Sequence, residues 1–251
     1  MQNNEIKPIV SAIIIAGALI AGAILLRGSS APISKNNTGN GIPVTALAPV
    51  GPKDRTQGSS SAKVTLILYE DFQCPFCGAI SGLESDSAAI KYLKEKIDPN
   101  WTPFMPEIIN SYVKNGSVQI VYRDFAFLGP ESIKAAEAAR CAGDQGKFWE
   151  YHDYLYAHQN GENQGNFSDP NLKSFAKTLD LDTAGFNKCL DENKYTQAVE
   201  DSTNEGRAAG VGAPGQGTPK GFIVRNGKIL STIDGAEPYS MVKPKLDAAL
   251  K

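Results

Sequence analysis

The stretch that most constrains this chain is VTLILYEDFQCPFCG, residues 64–78. Val64 to Tyr69 is an apolar run rich in β-forming residues and reads as a buried strand. It leads into Cys74-Pro75-Phe76-Cys77, after which Ala79 to Leu83 reads as the start of a helix. Strand, C-x-x-C, helix is a redox arrangement. At a helix N-terminus the unpaired backbone N–H groups and the positive end of the dipole favour a thiolate over a thiol. Cys74 sits at that end, so its pKa is expected to fall below the free value of about 8.5. Pro75 suits the first turn, where its missing N–H would have had no partner. Cys77, one turn inward, is placed to close a disulfide with Cys74. An inert structural bridge and half of a zinc knuckle are the competing readings. Zinc would call for a second ligand pair, but Cys141 and Cys189 stand alone, and neither His152 nor His158 has ligand-like spacing to a cysteine. Nothing here calls for a metal or a cofactor.

The chain has 251 residues, enough to bury a sizeable core in one large domain or two small ones. A net charge of −2 gives no electrostatic case for nucleic acid, which needs a basic face. The N-terminus bears on the compartment. Residues 9–26, IVSAIIIAGALIAGAILL, carry no charge and lie between Lys7 and Arg27. Eighteen residues at 1.5 Å each give about 27 Å, enough to cross a bilayer core. The run exceeds the usual signal-peptide core, and Arg27 stands where a cleavage motif would be expected. Residues 1–27 are therefore read as an uncleaved membrane anchor, with the bulk of the chain exported; a long cleaved signal is the alternative. The charge asymmetry supports this orientation weakly, since Arg27 and Lys35 follow the run.

Residues 28–61 are dense in Gly, Ser, Pro and Asn and read as a flexible linker, with residues 41–49 able to pack as an edge strand. Residues 62–251 read as one α/β domain. Asp98 to Pro106 holds three prolines and reads as a loop, followed by a helix from Glu107 to Lys114 and a strand from Val118 to Tyr122, parallel to the first. From about 130 to 209 the pattern is helical, with Asp169 as an N-cap and Pro170 at the first helical position. Two more strands follow, joined by Asn226-Gly227, a strong hairpin signal, and a last helix begins at Pro238. A helical block is thus inserted between strands of one sheet.

These residues resemble the thioredoxin-fold disulfide oxidoreductases of the exported DsbA type, and specifically their membrane-anchored relatives. The resemblance runs from about Lys63 to Lys251. It rests on DFQCPFCG (71–78), VYRDF (121–125), Ala135 to Gln145 with GKFWEYHD (146–153), Phe186 to Leu190, and Gly217-Thr218-Pro219 before Phe222-Ile223-Val224. It implies a thioredoxin fold with a helical insertion, preceded by a transmembrane helix, and a cis-proline at Pro219. Thr218 and Pro219 would then face the redox motif and pair with the substrate backbone. Relatives often carry a buried acid six residues before the first cysteine, but Leu68 holds that place here. Glu70 and Asp71 are nearer and could help move a proton; surface or capping roles are the expectation for them.

The chemistry expected is disulfide donation. A substrate thiolate attacks Cys74 of the Cys74–Cys77 disulfide, and a second substrate cysteine resolves the mixed disulfide. Pro75 and Phe76 border the thiolate and tune its stability. Phe76 offers neither donor nor cation, so a less oxidising potential than that of the strongest oxidases is expected. A reductase or isomerase running the exchange the other way is the main rival. Isomerases of this kind generally add a dimerisation domain, and the linker is too short and polar to be one; a monomer is expected. A membrane-tethered chaperone or binding protein is the rival from another class, and reaction of Cys74 with an alkylating agent at acidic pH discriminates. Cys141 and Cys189 read as a second, structural disulfide, with two buried free thiols as the alternative. The resemblance implies reduced exported proteins as substrates and a membrane reoxidising partner of the DsbB or VKOR type. The location expected is the cell membrane, with the catalytic domain on the extracytoplasmic side.

Overall fold

The computed structural model describes residues 47–83 and 87–251. The apolar run at 9–26 and residues 41–46 of the suggested edge strand lie outside these. Among the described residues, no helix is long and apolar enough to cross a membrane.

A five-stranded sheet organises the domain, in the order β1 (Arg55–Gln57), β3 (Val118–Asp124), β2 (Val64–Glu70), β4 (Lys220–Arg225), β5 (Lys228–Asp234). The central strand β2 (Val64–Glu70) is the apolar run that precedes the cysteines. It pairs in parallel with β3 (Val118–Asp124) and antiparallel with β4 (Lys220–Arg225). A strand paired on both edges and covered on both faces must be apolar nearly throughout, which is why β2 reads as a run rather than an alternation. The Asn226-Gly227 turn, with Asn226 at φ 51° and Gly227 at φ 70°, joins β4 to β5 (Lys228–Asp234).

Alternation along the strands sorts their side chains onto two faces. Leu66 and Leu68 of β2 and Ile120 of β3 pack with α1 (Pro75–Ser81), α2 (Ala88–Lys96), α3 (Met105–Ile108) and α9 (Tyr239–Leu250). Ile67, Tyr69 and Val121 face the other way, against Leu47, Phe125 and Val211. The expected helix from Glu107 is α3 followed by a π-helical turn at Ile109–Val113. The expected helical block is α4 (Pro130–Gly143), α5 (Phe148–Ala157), α6 (Asp169–Thr178), α7 (Thr183–Asp191) and α8 (Thr196–Ala208). Ser168, not Asp169, is the N-cap of α6. The insertion carries its own core, in which Tyr151, Leu155, Phe186 and Leu190 are fully buried, and Cys141 and Cys189 join by a disulfide at a Cα separation of 5.9 Å.

The linker reading fails at its C-terminal end. Arg55–Gln57 forms β1, an edge strand antiparallel to β3, while Ala48 to Val50 makes no strand. Composition misleads here because tertiary partners hold this polar segment. Asp54 makes a buried ion pair with Arg123 at 2.8 Å, Arg123 also donates to the Pro49 carbonyl, and Trp149 of α5 donates to the Thr56 carbonyl at 3.0 Å.

The Cys141–Cys189 bridge joins residues 48 apart within the insertion. On the chain-entropy model a loop of this length is worth about 4 kcal/mol. Replacing both cysteines by alanine should lower the unfolding free energy by about that amount in urea titrations followed by circular dichroism.

Candidate active site

β2 ends by delivering the chain to a tight loop, and Cys74 caps α1 with extended backbone, φ −70° and ψ 118°. Pro75 takes the first helical position and is exposed; Phe76 is half-buried against Tyr92, with ring centroids 6.0 Å apart. Cys77 lies one turn in and has no exposed surface, whereas Cys74 keeps 5%. Both are thiols in this structure. Across the cleft, Thr218–Pro219 is a cis peptide bond, and the Cys74 thiol donates to the Thr218 carbonyl at 3.3 Å. The loop before β4 and the start of α1 therefore meet at one sulfur.

The two cysteines are electrostatically unlike. A hydrogen bond from the Cys77 thiol holds Cys74 below the ordinary thiol pKa; Thr218 and the N–H groups of Cys77 and Phe76 add to this, while burial opposes it. Burial pushes Cys77 well above the ordinary value, and the neighbouring Cys74 and Glu70 charges push it further. One sulfur, which keeps a small exposed surface, is suited to be the nucleophile and leaving group, the other to hold a proton in reserve.

Neither Glu70 nor Asp71 is a surface residue, which corrects the expectation for Glu70, while Asp71 takes a capping role toward backbone N–H groups. Glu70 is 3% exposed, and the buried Tyr156 of α5 donates to it at 2.7 Å. Burial raises its pKa, against the opposing influence of His152 and Tyr156. Glu70 stands two residues after Leu68, so strand alternation puts both on the same face, with Glu70 nearer the motif. The Asp71 carboxylate accepts from the N–H groups of Gln73, Phe127 and Leu128 and from the Ser132 hydroxyl, at 2.7–3.1 Å. Asp71 therefore ties the redox loop to the segment entering the insertion.

Two further ties were not legible in the sequence. Gln73 donates to Ser132 and accepts from the Asn163 N–H, at 2.8 and 2.5 Å. Gln159, just past α5, donates to the carbonyls of Phe72 at 2.6 Å and Cys74 at 3.0 Å. The Cys74 carbonyl also closes the first turn of α1 with the Gly78 N–H at 3.1 Å. A Cβ on Gly78 would run into the Gln159 side chain, so glycine leaves room for the amide. Among the described residues, no group of His, Cys, Asp and Glu is placed to hold a metal ion.

A dithiol at a helix N-terminus, opposite a cis-proline loop and at the end of a central parallel strand, defines a thioredoxin-fold redox protein. The thioredoxin family matches residues 51–98 and 100–240, and the chain belongs to it. Its fold is similar to that of oxidised BdbD from Bacillus subtilis. That likeness has a TM-score of 0.62 at 19% identity and covers 86% of this chain and 99% of BdbD. A probable disulfide bond formation protein D from Bacillus anthracis is 24% identical over 199 residues, 77% of each chain. The Na(+)/H(+) antiporter NhaA 1 of Salinispora arenicola is 29% identical over 183 residues, which are 72% of this chain but 23% of the antiporter. The chain thus spans about a quarter of the antiporters' length.

Gln159→Met keeps the length of the side chain but removes both donated bonds. It should loosen the first turn of α1 and raise the pH at which Cys74 becomes reactive to iodoacetamide, with unfolding in urea lowered by only about 1–2 kcal/mol. Glu70→Gln tests the buried acid. A carboxyl whose folded pKa lies above its unfolded one contributes stability at low pH that is lost as pH rises through the folded value. Glu70→Gln should therefore gain stability over the wild type on the alkaline side and not below about pH 4, while slowing disulfide exchange on the order of 10²-fold.

Proposed function

We propose that this chain is an exported thiol:disulfide oxidoreductase that donates a Cys74–Cys77 disulfide to reduced extracytoplasmic proteins. The observation that carries the reading is the opposed setting of the two sulfurs, one at the head of α1 with its pKa lowered and the other buried with its pKa raised. A substrate thiolate attacks the Cys74 sulfur, the Cys74–Cys77 bond breaks, and Cys77 leaves with the electron pair. Burial makes a Cys77 thiolate costly, so it takes a proton, and Glu70 is the acid nearest to hand. A second substrate thiolate then attacks the substrate sulfur of the mixed disulfide, and Cys74 leaves as the better-stabilised thiolate. A stabilised leaving group favours the reduced enzyme and hence oxidation of the substrate. Thr218 and Pro219 flank Cys74 and are the backbone against which a substrate peptide would lie; Pro75 and Phe76 tune the thiolate.

The Bacillus anthracis relative's name, a probable disulfide bond formation protein, supports this direction. The Cys141–Cys189 bridge supports an oxidising compartment. The apolar run at 9–26 supports a single-pass anchor with the domain outside the cytoplasm. Reoxidation would then fall to a membrane partner of the DsbB or VKOR type.

The test is the reduction potential of Cys74–Cys77 in the full chain, equilibrated against glutathione. A value of about −120 to −180 mV, the range of oxidases and isomerases of this chemistry, is the expected outcome. A value near −270 mV, as for thioredoxin, would sink disulfide donation and make the chain a reductant.

A further inference from the structure

Once a substrate covers Cys74, the front of the site is closed, yet the buried Cys77 must gain or lose a proton in each exchange. A second opening lies behind α1. A cavity of about 280 Å³ is walled by Ser81, Met105, Ile109, Trp149 and His152. Ser81 is four residues after Cys77, so the cavity opens on the same face of α1, one turn further on. Ile109 begins the π-helical turn, a local geometry that recurs beside functional sites.

His152 lines this cavity and acts electrostatically on the buried Glu70 carboxyl. It is 4% exposed, and its Nδ1 bonds the Asp153 carboxylate at 2.8 Å, which orients the ring. Among the described residues, Nε2 has no hydrogen-bond partner. The ring stands edge-on to Tyr156 with centroids 4.9 Å apart, and Tyr156 donates to Glu70 at 2.7 Å. The groups that act on Glu70 come from three elements: Cys77 of α1, His152 and Tyr156 of α5, and Tyr122 of β3. The Tyr122 hydroxyl is buried and has no partner of its own. Aromatic rings close the rest of the surroundings, with Phe72, Phe148 and Trp149 packed about His152. Among the described residues, no basic side chain other than His152 acts on the Glu70 carboxyl.

We propose that His152 and the cavity behind α1 form the path by which the buried Glu70–Cys77 pair trades protons with solvent while a substrate covers Cys74. The proposal rests on disulfide exchange as the function. When Cys77 leaves as thiolate, the proton of Glu70 moves to its sulfur. His152 carries the replacement proton inward from the cavity. In the reverse step Cys77 gives its proton to the Glu70 carboxylate, and His152 carries it out. No electron leaves or enters by this route.

The route has a signature in the pH profile. Below the raised pKa of Glu70 each turnover begins with the proton already in place, and above it the proton must arrive during the turnover. The experiment is the single-turnover oxidation of a two-cysteine peptide by the oxidised full chain, followed across the pH range in wild type, His152→Phe and His152→Ala. The ratio of wild-type to His152→Phe rate should grow to about tenfold on the alkaline side and shrink toward the acid side. The loss is smaller than that expected for a direct donor because Glu70 remains. Imidazole is small enough for the cavity and should restore His152→Ala on the alkaline side. Asn110→Trp, at the exposed mouth of the cavity and away from the buried cluster, should reproduce the alkaline loss even where the His152 variants fold poorly. Parallel profiles in His152→Phe and Asn110→Trp, or no response of His152→Ala to imidazole, would overturn the route. A wild-type chain that does not oxidise the peptide at any pH would overturn disulfide exchange itself.

Discussion

The Asp71 carboxylate is the fastening on which the site depends. It lies one residue beyond β2, almost fully buried, and accepts four hydrogen bonds from the redox loop and the segment entering the helical insertion. Burying a carboxylate is costly unless its oxygens are satisfied, and these bonds oppose the rise in pKa that burial causes. The bonds act together with Gln73 and Gln159, so three side chains tie one short loop to the insertion. The N–H groups of α1 can stabilise a thiolate only if the sulfur stays in front of them. Rigidity of the loop is thus part of the electrostatics of Cys74.

The same arrangement makes two adjacent sulfurs chemically different. Cys74 gains hydrogen bonds at the end of a helix, while for Cys77 burial and the company of like charges outweigh the one backbone hydrogen bond from Asp71. The sheet supplies this difference. β2 emerges between β3 and β4 and leads into α1, on which Cys74 keeps a little exposed surface and Cys77, one turn further in, keeps none. A buried acid on the strand face beneath the second cysteine follows from the same geometry. Leu68 gives up that position, but Glu70 keeps the face because side chains alternate with a period of two.

Stability is spent at this site. Glu70, Asp71 and Asp124 all sit buried with raised pKa values, and Arg140 offsets only Asp124, at 2.6 Å. The Tyr122 hydroxyl and one Asp124 oxygen are left without partners. Elsewhere the structure is conventional, with apolar β2 and β3 faces covered by helices and the insertion braced by a disulfide. The unpartnered Tyr122 and Thr218 hydroxyls beside the cysteine pair mark where packing has yielded to chemistry.

The strand, the redox pair and the hairpin were readable because each depends on local chemistry, whereas the cis-proline loop was expected from the family resemblance. An apolar run makes a buried strand, Cys-Pro-x-Cys begins a helix, and Asn-Gly turns a hairpin. The long helical block was legible from its periodicity, and its internal disulfide as one of two readings of Cys141 and Cys189. Other features depend on residues distant in the chain. The polar segment at Arg55–Gln57 is an edge strand because Asp54 meets Arg123 and Trp149 reaches Thr56. Glu70 is buried because α5, some 80 residues later, brings Tyr156 over it, and Gln159 reaches the redox loop from the end of that same helix. Sequence by itself determined where the sulfur chemistry sits, since backbone propensity and cysteine spacing are local. Only the tertiary structure decided which acid, amide and histidine serve it, because burial and hydrogen-bond partners are set by packing between segments that no short-range pattern connects.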